Sequence, residues 1–245
     1  MSRAVGLAFS AIAYAVFFST FLYLIAFVGD LPFAPRTVDE GPGAPVAGAA
    51  VINLSLIALF GLQHSVMARP GFKRIWTRIV PVAMERSVYV LTASLMLILL
   101  FMAWRPIPGT VWDLTGTAFE LPIWLLFAAG WLIVLVSTFL INHFELFGLQ
   151  QAWLNLRGRQ AAAPQLRQPL FYRWVAHPLY SGFFLAFWAT PQMTYGHLLL
   201  AVGMSVFMLI AIQLEERDLT DLFGETYTRY REGVGMLAPR FRRGA

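Results

Sequence analysis

The sequence predicts an all-α, polytopic integral membrane protein: a helical bundle of about six helices, the last two a hairpin, with a cytoplasmic C-terminal amphipathic helix. Three observations carry this. Hydrophobic residues make up 58% of the 245-residue chain and charged residues 13%, with a mean hydropathy of +0.65, well outside the balance of a soluble domain. Five stretches contain no Asp, Glu, Lys or Arg: 5–28, 46–68, 87–104, 121–141 and 174–214. Threading these stretches through a bilayer places 16 of the 18 basic residues on one side, as expected for cytoplasmic loops.

A bilayer core takes about 20 helical residues, so each of the first four stretches is one span. The first is too long for the apolar part of a signal peptide, shows no small-residue cleavage site, and is expected to remain as a helix. After it, "APRTVDEGPGAPVAG" is Pro/Gly-rich and acidic, an outer loop expected to lack internal structure. The fifth stretch has 41 residues and at about 1.5 Å per residue is far too long for one crossing. Pro191 and Gly196 in "TPQMTYG" break it, giving a hairpin of 174–190 and 195–214. In the segment 215–231 of the tail, 215–245, Leu219, Leu222, Phe223, Tyr227 and Tyr230 recur at helical spacing, which predicts a surface helix with one apolar face along the membrane. The whole chain, 1–245, is expected to be a single transmembrane domain, with no room for a separate cofactor-binding fold.

With the N-terminus inside, Arg3, the loops 69–86 and 142–173 and the tail hold the cytoplasmic basic residues, and only Arg36 and Arg105 lie outside. The net charge of +5 is then a topology signal and a contact for anionic lipid. No basic run interleaved with aromatics supports nucleic acid as a partner. The absence of cysteine excludes disulfides, thiolate metal ligands and a cysteine nucleophile.

Chemistry-bearing residues collect on the same cytoplasmic face. "GLQHSVMARPGFKR" places Gln63 and His64 at the inner end of the second helix, and "INHFELFG" places Asn142, His143 and Glu145 at the inner end of the fourth. "YRWVAHPLYSG" enters the hairpin, and "QLEERDLTDLFGETYTRYREGVGMLAP" leaves it. Polar residues at membrane depth are costly and tend to mark function. The histidines, at 64, 143, 177 and 197, have no metal-box spacing, although two of them holding a b-type haem between helices stays open as an alternative. A ligand with a carboxylate, an ammonium, a ribose and a flat base suits the remaining groups, and S-adenosylmethionine is such a ligand. Arg173 and His177, at i and i+4, are expected to share a helix face. Glu215 and Glu216 return to the same level at the far end of the hairpin. Pro178 fits the first turn of a helix, and His177 stands just before it, where free backbone donors favour an anion.

The pairing of "AHPLYSG" with "EERDLTDLFGETYTRYREGVGMLAP" resembles the C-terminal half of the isoprenylcysteine carboxyl methyltransferase superfamily. That pattern falls here on His177, Pro178, Tyr180, Gly182, Glu215, Glu216, Leu219, Phe223, Tyr227, Tyr230 and Pro239. Within that superfamily, "LQHSVMARPGFKR", "NHFELFGLQQAW" and "HPLYSGFFLAFWATPQMTYGHLL" are similar to the bacterial methanethiol S-methyltransferases, relatives of the NnrU-like membrane proteins, from residue 51 onward. The resemblance implies S-adenosylmethionine as donor, methanethiol or a similar small thiol as acceptor and dimethyl sulfide as product; the expected place is the bacterial inner membrane, multi-pass, with both termini cytoplasmic from the distribution of basic residues. It implies His177, Pro178, Tyr180, Gly182, Glu215 and Glu216 as cofactor contacts. Ala176 stands where the superfamily has arginine, so the cofactor carboxylate is expected to fall to Arg173 or Arg217. Prenylcysteine carboxyl methylation and a sterol-reductase-like activity occur in the same superfamily and remain alternatives. A thiol acceptor reacts as thiolate, so a base is expected, with His64, His143 and Glu145 as the catalytic candidates.

Overall fold

The computed structural model describes residues 2–160 and 165–240; the last five residues of the expected tail lie outside them. In chain order the helices are α1 (Arg3–Val28), α2 (Val46–Ala68), α3 (Pro70–Trp76), α4 (Val82–Ala103), α5 (Glu120–Ile141), α6 (His143–Leu146), α7 (Leu149–Leu156), α8 (Pro178–Trp188), α9 (Tyr195–Phe223) and α10 (Glu225–Gly233), with two short strands, β1 (Thr110–Asp113) and β2 (Gln192–Thr194). Five of them, α1, α2, α4, α5 and α9, are long and apolar enough to cross a membrane, and the protein is a multi-pass membrane protein. Large apolar side chains face outward, among them Ile12, Leu62, Leu95, Leu125 and Leu132, as a lipid-facing surface requires. The core is filled by Phe27, Leu100, Trp104, Trp131, Phe187 and Leu200. Proline stands immediately before α2 and α4, at Pro45 and Pro81, where its missing N–H costs no helical bond.

One end of the bundle is closed by a cap. β1 and β2 pair antiparallel, with Thr110 opposite Thr194. The loop between α1 and α2, expected to lack internal structure, has no regular element but folds into this cap. Val38 is fully buried, its carbonyl accepts from Trp104 Nε1 at 2.9 Å, and Asp39 accepts from the Thr194 hydroxyl. A run with few apolar residues is ordered because α1, through Phe27 O and the Tyr23 hydroxyl, and Trp104, just after α4, supply partners for its backbone.

The hairpin differs from its sequence expectation at its first arm. Residues 170–173 form one 3-10 turn, 174–177 are not helical, and α8 has only 11 residues, about 16 Å. Arg173 and His177 therefore do not share a helix face. The chain after α8 still reaches the cap, because β2 belongs to it. α8 is held by close approach to α5: a Cβ on Gly182 would meet the Gly130 carbonyl oxygen at 2.7 Å, and one on Gly130 would meet Ala186 N at 2.7 Å. Small residues let two backbones pack where apolar burial offers no drive.

The second arm is longer than expected. α9 continues without a break through Glu215 and Glu216 to Phe223, so both acids belong to the spanning helix. The single amphipathic tail helix is corrected too: Gly224 adopts φ +56 and separates α10 from α9. Leu222, assigned to the apolar face, is exposed, while Tyr227 is buried. Tyr230 donates to the Tyr172 carbonyl at 2.7 Å, so α10 docks on the segment before α8.

Candidate active site

Opposite the cap, the residues before α8 are clamped by the chain that follows α10. Ala176 N donates to Gly235 O at 2.8 Å, His177 N to Met236 O at 3.1 Å, and Gly235 N to Trp174 O at 3.0 Å. Ser181 Oγ adds a bond to Leu237 O at 2.7 Å. This pairing satisfies backbone groups that a helix would have satisfied internally, and Pro178 then starts α8. The His177 side chain is held inside the bundle, with Nε2 3.0 Å from Glu216 Oε1. Arg231 Nε reaches the same oxygen at 2.5 Å. Tyr180, one turn along α8, donates to Glu215 Oε2 at 3.1 Å. Adjacent positions on a helix diverge by about 100°, so the two acids serve different partners: Glu215 meets α8, and Glu216 meets His177 and α10.

A groove of about 350 Å³ opens beside this pair, lined by Glu216, Thr220, Tyr227, Arg231 and neighbouring residues. The Tyr227 hydroxyl is buried there without a hydrogen-bond partner. Burial, helped by Glu216, pushes its pKa up, and burial pushes Tyr230 up to about 12, so both remain phenols able to donate. A carboxylate, a guanidinium, a hydroxyl and an aromatic face on one groove match a ligand that carries an ammonium, a carboxylate, sugar hydroxyls and a base. Ala176 is buried and contributes only backbone. Arg173 and Arg217, the cations expected to replace the missing arginine, are both exposed, and it is Arg231 that reaches Glu216. The local signal for it was the i, i+4 pair Tyr227 and Arg231 following Gly224. Pro178 serves the first turn of α8, and Gly182 serves its contact with α5.

The three expected bases lie at the same end of the bundle in different settings. His143 is 4% exposed. Thr138 donates its one hydroxyl proton to Leu135 O at 2.7 Å, so His143 Nδ1–H donates to Thr138 Oγ1 at 2.8 Å and Nε2 accepts from the Tyr14 hydroxyl at 2.8 Å. The ring stacks on Phe139 at 4.2 Å, and burial lowers its pKa. Glu145 Oε2 accepts from Asn142 Nδ2 at 2.8 Å while Asn142 caps the Glu145 N–H, a reciprocal cap that starts α6. His64 contacts Tyr89 on α4 through Nε2 at 2.8 Å, and its Nδ1 is buried without a partner. Around them, Arg69 pairs with Asp218 at 2.7 Å, tying α2 to α9, and Arg86 Nε donates to Leu146 O at 2.8 Å, tying α4 to α6.

No family model matches the chain, and no solved structure matches it. It is 51% identical to a methanethiol S-methyltransferase of Mycobacterium tuberculosis over 98% of both chains. It is 48% identical to methanethiol S-methyltransferase 2 of Bradyrhizobium diazoefficiens over 98% of this chain and 92% of the relative. At greater distance it is 27% identical to Nurim of Danio rerio over 71% of this chain and 66% of that protein. With near-complete coverage at this level of identity, the chain belongs to the methanethiol S-methyltransferase family.

Proposed function

We propose that this protein is a single-domain membrane enzyme that transfers a methyl group from S-adenosylmethionine to methanethiol, forming dimethyl sulfide. The observation that carries the reading is the convergence of His177, Glu216 and Arg231 beside a polar groove, in a chain belonging to this family. Arg231 is the group suited to the cofactor carboxylate, Glu215 and Glu216 to its ammonium and ribose hydroxyls, and Tyr227 to its flat base. The bound cofactor supplies a methyl group activated on a sulfonium. The protein's own task is to align the acceptor for in-line displacement and to supply it as thiolate. Even a cysteine thiol, with a pKa of about 8.5, is only a few per cent ionised at pH 7, and methanethiol, without electron-withdrawing peptide groups, is ionised less, so one of His64, His143 and Glu145 takes its proton. The apolar surroundings keep water from the thiolate, and the neutral product leaves through lipid.

We place both termini on the cytoplasmic face of the bacterial inner membrane. Supporting this, Arg3 lies beside Gly158 at the site end, six passes return the chain to that end, and among the described residues every Lys and Arg except Arg36 and Arg105 lies toward it. Cysteines introduced at Thr228 and Gly43 test it: only the second should react with an impermeant reagent in intact cells.

The decisive assay supplies purified protein with S-adenosylmethionine and methanethiol and follows dimethyl sulfide in the headspace. Its formation supports the reading. Methylation of a prenylated cysteine carboxylate without dimethyl sulfide replaces it with the carboxyl methyltransferase activity.

A further inference from the structure

We propose that His64 Nδ1 accepts the proton of the acceptor thiol, that Tyr89 positions it, and that Phe60 and Phe207 limit acceptor size. This deepens the thiol methyltransferase reading and rests on it. His64 Nε2 is engaged by Tyr89 at 2.8 Å, whereas Nδ1 is inaccessible to solvent and has no hydrogen-bond partner among the described residues. A buried ring nitrogen left this way costs stability unless a ligand meets it. With the proton on Nε2 donated to the Tyr89 oxygen, Nδ1 presents a lone pair, and a thiol S–H is the donor that fits it. The other two candidates hold no comparable atom: both nitrogens of His143 are bonded inside the protein, and Glu145 serves the cap of α6.

Three aromatic rings surround the imidazole, Tyr89 at 5.1 Å, Phe60 at 5.3 Å and Phe207 at 5.8 Å between centroids. Phe207, on α9, reaches this place because position 61 is glycine; a Cβ there would come 2.9 Å from its ring. His64 therefore sits where α9 leans on α2, and α9 also carries the acids of the cofactor site. Glu215 binds Tyr180 on α8. Arg86 lies 5.3 Å over the Tyr89 ring.

The step balances. The S–H bond breaks, its proton goes to His64 Nδ1, and the sulfur electron pair forms the new bond to the methyl carbon. The old carbon–sulfur bond breaks with its pair returning to the sulfonium sulfur, which becomes a neutral thioether. The proton later leaves to water, and no oxidant or reductant is needed. An aromatic wall suits an acceptor whose only substituent is a methyl group.

The test uses the purified full chain, with S-adenosylmethionine binding by calorimetry to show that each variant is folded. His64→Gln should bind cofactor as the unsubstituted protein does, lose about 10²–10⁴-fold in rate at pH 7, and recover as pH rises toward 9 and methanethiol ionises unaided. Tyr89→Phe should lose about tenfold, the worth of one hydrogen bond, with its pH–rate profile displaced. Phe207→Ala should raise the ethanethiol-to-methanethiol rate ratio about tenfold or more. A His64→Gln rate within twofold of the parent, or a loss equal at every pH, overturns the base assignment. An unchanged thiol ratio in Phe207→Ala overturns the size limit. If the parent protein itself makes no dimethyl sulfide, the underlying thiol reading fails, which is a distinct result from either.

Discussion

Arg231 Nε meets Glu216 Oε1 at 2.5 Å, on the oxygen that His177 Nε2 also approaches at 3.0 Å. A residue from α10 and one from the start of α8 thus meet on a single acid of the spanning helix α9, and none of the three can shift without the others. Arg231→Gln should weaken S-adenosylmethionine binding by about 1.5–3 kcal/mol, the range for a hydrogen bond to a charged group. Arg231→Lys should restore only part of it, because an ammonium lacks the planar fork. Arg173→Gln, at an exposed position, should bind as the parent does. Calorimetry decides, and equal losses at 173 and 231 would remove Arg231 from the site.

The Tyr230 hydroxyl bond to Tyr172 O, 2.7 Å long, anchors α10 over the backbone that presents His177. Tyr230→Phe keeps the ring and loses the bond, so it should cost about 1 kcal/mol. The effect should be local. Hydrogen exchange should quicken at Ala176, His177 and Gly235, whose amides make the clamp, and stay unchanged in the middle of α4. Uniform acceleration would mean that the bond serves global stability instead.

The four single spans were legible because a lipid-facing helix must be apolar all round, and a charge-free run of about 20 residues has few other uses. The same criterion failed at 174–177. An extended segment paired to Gly235 and Met236 is as free of charge as a helix, and its partners lie about 60 residues away in sequence. His177, Tyr180, Glu215 and Glu216 were legible as a group because the hairpin returns them to one level. Arg231 was hidden by the turn at Gly224, which redirects α10 in a way no helical periodicity extending from α9 can describe. His64 was visible as a polar residue at a helix end, but its distinction from His143 lies in which ring nitrogens are already bonded, a property only three-dimensional packing sets.

The crossing of α5 and α8 has no spare room. Gly182→Val would place a branched side chain against the Gly130 carbonyl oxygen and Val134, forcing the helices apart. Overpacking of this kind costs about 1–3 kcal/mol. Because α8 carries Tyr180 and starts at His177, cofactor affinity should fall together with melting temperature. A variant that melts early yet binds cofactor normally would show that the crossing supports the bundle without setting the site.

At the opposite end, Asp39 gives the cap a pH dependence that has nothing to do with catalysis. Burial, the largest cause, with Asp30 and Glu40 adding repulsion, pushes its carboxyl up to about 6, against the opposing hydrogen bond from Thr194. In the unfolded chain an aspartate titrates near 3.9. The folded state therefore holds this proton more tightly, and the stability it contributes is fully present below about pH 4. That contribution is lost as pH rises to about 6 and is gone above it. Asp39→Asn keeps an oxygen to accept from Thr194 and removes the titration. Melting temperatures of the two proteins between pH 4 and 7 should diverge, with the Asn variant gaining relative to the parent across that window and the difference levelling off above it. Parallel curves would mean that Asp39 ionises in the cap as it does in water.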